Sequence, residues 1–310
     1  MKKKVLIVLD LDQRQIDMYK DPELELTLKK PAEVTPADLK DVNIVVGNIP
    51  PAVAKEAPHL DLLQLNSAGY DNYLGFVSPN TKLCNCVGAF SPAVGEHILA
   101  MTFSLIRHFH LYRDKQNNKD WSDCGKIISV EGSTIAVFGL GDIGRSYARK
   151  VKAIGAKKVI GIRRNVKDKP DYIDEMYALS DAEKAVAEAD IVVNVLPSAK
   201  ETTNLFDKKL FSKMKKGSYF INVGRGDAMN QDDLVEALRS GQLGGAASDV
   251  FSPEPLPTDH PLWSEPKFLL TPHVAGWFFL NETKERIVRI SSSNVKAFIH
   301  GEKLVNEVAH

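Results

Sequence analysis

The sequence predicts an α/β protein of two domains, a doubly wound parallel-sheet domain in the middle of the chain and a second α/β domain split in sequence around it. Three observations predict this. Short apolar runs alternate with helical patterns in two successive series. A glycine-rich turn stands directly after one of those runs. The 310 residues are enough for two cores of ordinary size.

The first series has apolar runs at 5–9, 43–46, 62–65 and 82–86, with helices between some of them, and reads as a parallel sheet. From Pro92 a long amphipathic segment, 92–112, reads as a helix, with Ser91 as N-cap and Pro92 in the first turn. The second series has runs at 134–138, 159–162, 191–195, 219–223, 245–249 and 268–270, and six such strands suit a doubly wound dinucleotide fold. Between them, DIGRSYARKVKAIG and QDDLVEALRSG are helical, the latter ending on Gly241 as a C-cap. Residues 280–300 read as one helix. The expected domains are therefore 1–95 with 276–310 for the split domain and 96–275 for the nucleotide-type domain, the chain crossing near Gly95 and Gly276.

Composition narrows the function. Forty basic residues balance forty acidic ones, which gives no global attraction for nucleic acid or an anionic membrane. Cys84, Cys86 and Cys124 are too few for a disulfide framework, and the C-x-C pair reads as buried structural cysteines without the second ligand pair a metal site needs. The apolar run at 5–9 is too short for a signal peptide, and no stretch approaches the ~20 apolar residues of a membrane span. A cytoplasmic protein is expected. There is no internal repeat and no low-complexity tract.

Gly139, Gly141 and Gly144 form G-x-G-x-x-G between a strand and a helix. The first permits the tight turn, the second admits a pyrophosphate against the backbone, and the third lets the helix pack on its strand. Asp142 and Ile143 open that helix, whose free N–H groups and dipole favour an anion. An acid about 20 residues on would bind the ribose of NAD. Here the sequence reads VIGIRRN, with Arg163 nineteen residues after Gly144, Arg164 next and Lys167 nearby. Arginines there suit a 2′-phosphate, so NADP is expected, with NAD second.

Three further segments end at strand termini of the same domain: INVGRGD with Arg225, SDVFSPEP with Asp249 and Glu254, and TPHVAGW with His273. Reducing a 2-keto acid needs a cation for carboxylate and carbonyl oxygen, a proton donor and a hydride. Arg225 supplies a fork of donors. His273 is the natural acid, and Glu254 on the far side of its ring would hold the protonated form and its orientation.

Taken in order, GLGDIG, NVGRGD, DVF-x-P-E-P and TPHVAGW resemble the D-isomer-specific 2-hydroxyacid dehydrogenase family, over nearly the whole chain, and its glyoxylate/hydroxypyruvate reductase-like members in particular. The resemblance implies a Rossmann-type domain, a second flavodoxin-like domain and an active site in the cleft between them. It implies that Arg225, Glu254 and His273 are the catalytic triad and that Asp249 binds the nicotinamide carboxamide. Leu196, Pro197 and Val223 would line the cofactor site. NSAGYDNY would be the substrate loop, with N–H groups around Ala68 and Gly69 on the substrate carboxylate, and Trp277 would limit the pocket. The 92–112 helix and the arm after it would form a homodimer. Gly95, where many relatives carry alanine, and His97 read as helix packing near the cofactor. The alternative is a dinucleotide-sensing protein, since a corepressor family uses this fold and keeps the triad; no peptide-recognition extension is apparent here. No insertion suggests a formate dehydrogenase, and an L-lactate-type enzyme would carry its glycine turn near the N-terminus.

Overall fold

The computed structural model describes residues 2–164, 166–277 and 280–309. The chain forms two compact units: Met1–Phe90 with Phe278–His310, and Ser91–Trp277.

In the first unit the chain runs β1 (Lys3–Ile7), α1 (Gln13–Asp17), β2 (Leu24–Leu28), β3 (Ile44–Val46), α2 (Pro51–Lys55), β4 (Leu62–Gln64) and β5 (Lys82–Cys84). Alternate residues of β1 and β3 fall on opposite faces, as a period of two requires. Leu6 and Val45 pack with Leu39, Ile49 and Tyr73 on one side. Val5, Ile7, Ile44 and Val46 pack with Tyr19 and Val295 on the other. β2 was not expected: it is an edge strand pairing in parallel with β1, and only Leu24 is buried in its run LELTL.

The second unit begins with α3 (Ser91–Ile106) and α4 (Phe109–Asn117), not with one helix over 92–112. His108 breaks them apart with φ +58°. The reason is burial. Val94, Ile98, Met101 and Leu105 give α3 an apolar stripe, whereas α4 buries no residue, so nothing holds it on the same axis. Then follow β6 (Thr134–Phe138), α5 (Asp142–Ala153), β7 (Lys158–Ile162), β8 (Glu175–Tyr177), α6 (Ala182–Glu188), β9 (Ile191–Asn194), α7 (Lys208–Lys213), β10 (Ser218–Asn222), α8 (Gln231–Arg239), β11 (Leu243–Ser248) and β12 (Phe268–Leu270). These strands make a seven-stranded sheet in the order β12-β11-β10-β9-β6-β7-β8, all neighbours parallel. β8 adds one strand to the six expected, at the edge beyond β7 and only half-buried.

The strand order reverses between β6 and β9, and a doubly wound sheet binds ligands at the carboxyl ends of its strands at such a switch point. Phe138 from β6 and Phe220 from β10 close on Phe206, with ring centroids 4.9 and 4.7 Å apart. These rings stiffen the sheet beneath the switch point.

The chain returns to the first unit with α9 (Asn281–Ile299) and β13 (Glu307–Val308), which pairs antiparallel with β5 at the sheet edge. Val288 and Val295 of α9 cover one sheet face. Within that apolar layer Asn294 Nδ2 donates to Gln64 Oε1 at 2.6 Å and to Val305 C=O at 2.8 Å, while Val305 N–H donates to Asn294 Oδ1.

Candidate active site

The glycine turn lies at the switch point, between β6 and α5. Gly139 has φ +94°, a region that favours glycine. A Cβ on Gly144 would come within 1.8 Å of Gly139 C=O, so the helix can seat on its strand only without one. A Cβ on Gly141 would meet nothing within 4 Å. Packing therefore does not explain Gly141; room for something against the backbone does. The N–H groups of Asp142, Ile143 and Gly144 belong to the first turn of α5, which a helix leaves unpaired. These residues fit a dinucleotide pyrophosphate.

Arg163 directly follows β7, and its N–H donates to Tyr177 C=O at 3.2 Å. Arg164 is exposed and lies 3.0 Å from Glu201. No carboxylate occupies positions 163 and 164, where a ribose-binding acid would stand.

Two asparagines that sequence reasoning did not single out organise the adjacent strand ends. Asn194 and Asn222 are fully buried at the carboxyl ends of β9 and β10. Asn194 Nδ2 donates to Asn222 Oδ1 at 2.9 Å, and Asn222 Nδ2 donates to Arg225 C=O at 3.0 Å. Leu196 N–H donates to Asn194 Oδ1 at 3.2 Å, Gly224 N–H to Asn222 Oδ1 at 3.1 Å, and Val223 N–H to Asn194 C=O at 2.9 Å. The pair thus fixes both loops, 195–197 with Leu196 and Pro197, and 223–225 with Val223 and Arg225. The signal was present: an asparagine closes each of two otherwise apolar runs, IVVN and YFIN. The Arg225 guanidinium donates to Gly224 C=O at 3.0 Å. A Cβ on Gly226 would lie 2.0 Å from the Phe251 carbonyl, which puts the arginine loop flush against the segment leading to Glu254.

Glu254 accepts from Phe251 N–H through Oε1 at 2.8 Å, which leaves Oε2 for His273 Nδ1, also at 2.8 Å. The carboxylate oxygen is placed to accept and Nδ1 to donate, which leaves Nε2 as the ring nitrogen not engaged by Glu254. The His273 backbone is left-handed, φ +54°, and Asp249 holds it there. His273 N–H donates to Asp249 C=O at 2.8 Å. The Asp249 carboxylate, buried to 1% exposure, accepts from Thr271 Oγ1 at 2.5 Å, Val274 N–H at 2.9 Å and Ala275 N–H at 3.0 Å. His97 on α3 extends the chain, with Nε2 3.1 Å from Thr271 Oγ1. Gly95, two residues earlier, lets α3 approach α5, since its Cβ would come 2.6 Å from Ser146 Oγ. Trp277 follows this loop and is half exposed, at 51%.

In the first unit, Ala68 and Gly69 lie in a loop after β4 and are half-buried. Asn48 and Asn66 clasp its start reciprocally: Asn48 N–H donates to Asn66 Oδ1 at 2.8 Å and Asn66 N–H to Asn48 Oδ1 at 3.1 Å. Among the described residues no cluster of His, Cys, Asp and Glu is arranged to hold a metal, and no helix is long and apolar enough to cross a membrane.

Fold and site together define a nicotinamide-dinucleotide oxidoreductase architecture. The family model described as D-isomer specific 2-hydroxyacid dehydrogenase, NAD binding domain, matches residues 99–275. A D-isomer specific 2-hydroxyacid dehydrogenase family protein from Aeromonas salmonicida is 31% identical, with a TM-score of 0.86 and 99% of each chain covered. An NADPH-dependent glyoxylate/hydroxypyruvate reductase from Sinorhizobium meliloti, crystallised with NADP and sulfate, is 26% identical with a TM-score of 0.83, covering 99% of this chain and 98% of that one. A glyoxylate reductase of Thermofilum pendens is 30% identical over 268 residues, 84% of this chain and 78% of its own. The chain belongs to the D-isomer-specific 2-hydroxyacid dehydrogenase family, whose reaction class is NAD(P)-linked hydride transfer between 2-keto and 2-hydroxy acids.

Proposed function

We propose that this protein reduces a small 2-keto acid of glyoxylate or hydroxypyruvate size with NADPH, using Arg225, Glu254 and His273. The observation that carries the reading is the His273–Glu254 pair, 2.8 Å apart in loops that, like the glycine turn, follow the carboxyl ends of strands of one parallel sheet. A bound dinucleotide would supply the hydride for the carbonyl carbon. Arg225 draws the carboxylate and carbonyl oxygen into line through its planar fork of donors. His273 Nε2 gives its proton to the oxygen as the alkoxide develops, and Glu254 balances the ring's charge and fixes its direction before the transfer. Asp249 already accepts three chain donors. A carboxylate has roughly four acceptor sites, so one remains for the cofactor's carboxamide.

Gly139, Gly141 and Gly144, with the first turn of α5, would hold the pyrophosphate; Leu196, Pro197 and Val223 would line the nicotinamide half. Arg163 and Arg164 would take the 2′-phosphate, in keeping with the NADP-bound relative. Ala68 and Gly69 would receive the substrate carboxylate, and Trp277 would limit substrate size. We also infer a homodimer: Phe109, Tyr112 and Trp121, on α4 and the arm after it, all expose large apolar surface.

The test is oxidation of NADPH, and separately NADH, against glyoxylate, hydroxypyruvate, pyruvate, phenylpyruvate and branched analogues. Turnover that prefers NADPH, and loses that preference in the Arg163→Ala, Arg164→Ala double variant, supports the reading. A wild-type preference for NADH makes the arginines a solvated pair. Tight NADPH binding without turnover of any 2-keto acid would point instead to a dinucleotide sensor.

A further inference from the structure

Three consecutive carbonyl groups of the 67–69 loop are tied down by the chain itself. Cys86 N–H donates to Ser67 C=O at 2.9 Å. Asn85 Nδ2 donates to Ala68 C=O at 3.1 Å, and Ser67 Oγ donates to Gly69 C=O at 2.7 Å. In a trans peptide the carbonyl and the following N–H project from opposite edges of one plane. The Ser67 and Ala68 carbonyls both face the 85–86 segment, so the N–H groups of Ala68 and Gly69 both face away from it. Among the described residues neither N–H has an acceptor in the chain. Two adjacent unpaired N–H groups turned the same way make a cradle for an anion.

Asn85 is the side chain that sets the second of those directions, and it is itself immobilised. It is 4% exposed. Its Oδ1 accepts from Val87 N–H at 3.1 Å, its N–H donates to Asn306 C=O at 3.2 Å, and its C=O accepts from Gln64 Nε2 at 3.3 Å. A buried amide is unfavourable unless its polar atoms are matched, and here one of its matches is the loop that must point its N–H groups outward.

We propose that Asn85 is a positioning residue for the substrate carboxylate. By gripping the Ala68 carbonyl it fixes the Gly69 N–H, and so sets affinity for the carboxylate of the 2-keto acid without touching it. The inference rests on the reduction reading above. It places the effect of Asn85 on substrate and anion binding, and not on the hydride step.

The test uses Asn85→Ala and Asn85→Asp in the full chain. The aspartate keeps the side-chain size and the acceptor for Val87 but sets an oxygen against the Ala68 carbonyl, and Tm with the folded fraction, read for both variants, separates loss of that bond from a folding defect. Four quantities are read: KM for glyoxylate, Ki for oxalate as a carboxylate probe, KM for NADPH, and Tm. Losing one buried donor should raise KM for glyoxylate and Ki for oxalate together by roughly tenfold. The kcat should stay within about twofold and KM for NADPH should not move, because neither depends on the lost bond. The proposal is overturned if KM and Ki stay at wild-type values while activity falls only with the folded fraction, or if kcat alone falls. If the wild-type chain reduces no 2-keto acid, the reduction reading fails on that result. Oxalate binding by calorimetry still decides the role of Asn85.

Discussion

His273 combines a left-handed backbone with a fixed Nδ1 partner, and each has a separate cause in the chain: Asp249 for the first, Glu254 for the second. Replacing His273 by Gln should lower kcat by about 10²–10⁴-fold, the range for losing a positioned acid, with a much smaller change in KM for NADPH. Steady-state kinetics in both substrates checks this. The cysteines give a prediction of another kind. Burial pushes the Cys84 and Cys86 thiols up to about 12, whereas Cys124 is partly exposed. At pH 8 the native chain should therefore present one thiol to a disulfide reagent and all three in guanidinium; fast native reaction of a second thiol would contradict the burial. At this scale the sequence was most legible in the positive φ of Gly139 and in the contact between His273 and Glu254. Asn194 and Asn222 left a trace as polar ends of apolar runs, but their partners, and the role of Asn85, were not legible, because such an asparagine gains its meaning only from the neighbour it meets in the fold.

The turn between β6 and α5 separates two uses of glycine that a motif cannot distinguish. Gly144 is needed by the fold, since its Cβ would overlap the Gly139 carbonyl, while around Gly141 the protein leaves open space. Gly144→Ala should consequently destabilise the chain by several kcal/mol, as the larger backbone clashes do, with a visible fall in Tm. Gly141→Ala should leave Tm within a few degrees and weaken dinucleotide binding, as read by protein-fluorescence titration with NADPH. Equal thermal losses in both variants would undo the distinction. The central strands, buried on both faces and continuously apolar, were all read, and so was β12 at one edge through its apolar run FLL. Those missed, β2, β8 and β13, lie at sheet edges and carry partial burial patterns that look like loops. The 92–112 helix failed for a related reason: local helical preference continues past Ile106, but the apolar stripe does not.

At the scale of the molecule, α9 joins the N-terminal sheet through a buried polar contact in an apolar layer, Asn294 to Gln64. Asn294→Ala would strand the Gln64 oxygen and free the Val305 backbone, lowering stability by about 1–3 kcal/mol. Urea unfolding followed by a probe in the first unit checks it. That contact also fixes an order in time. Strands β1, β3 and β4 leave the ribosome first, yet the helix that covers one of their faces is made only after all of residues 91–277. At ordinary rates of synthesis the delay is roughly 10–40 s. During it Val5, Ile7, Ile44 and Leu62 have no α9 to bury them. The middle of this protein can therefore be complete without the end of the chain while the first unit cannot, and a released chain truncated after residue 277 should show a protease-resistant core from 91–277 and a beginning that is still cut.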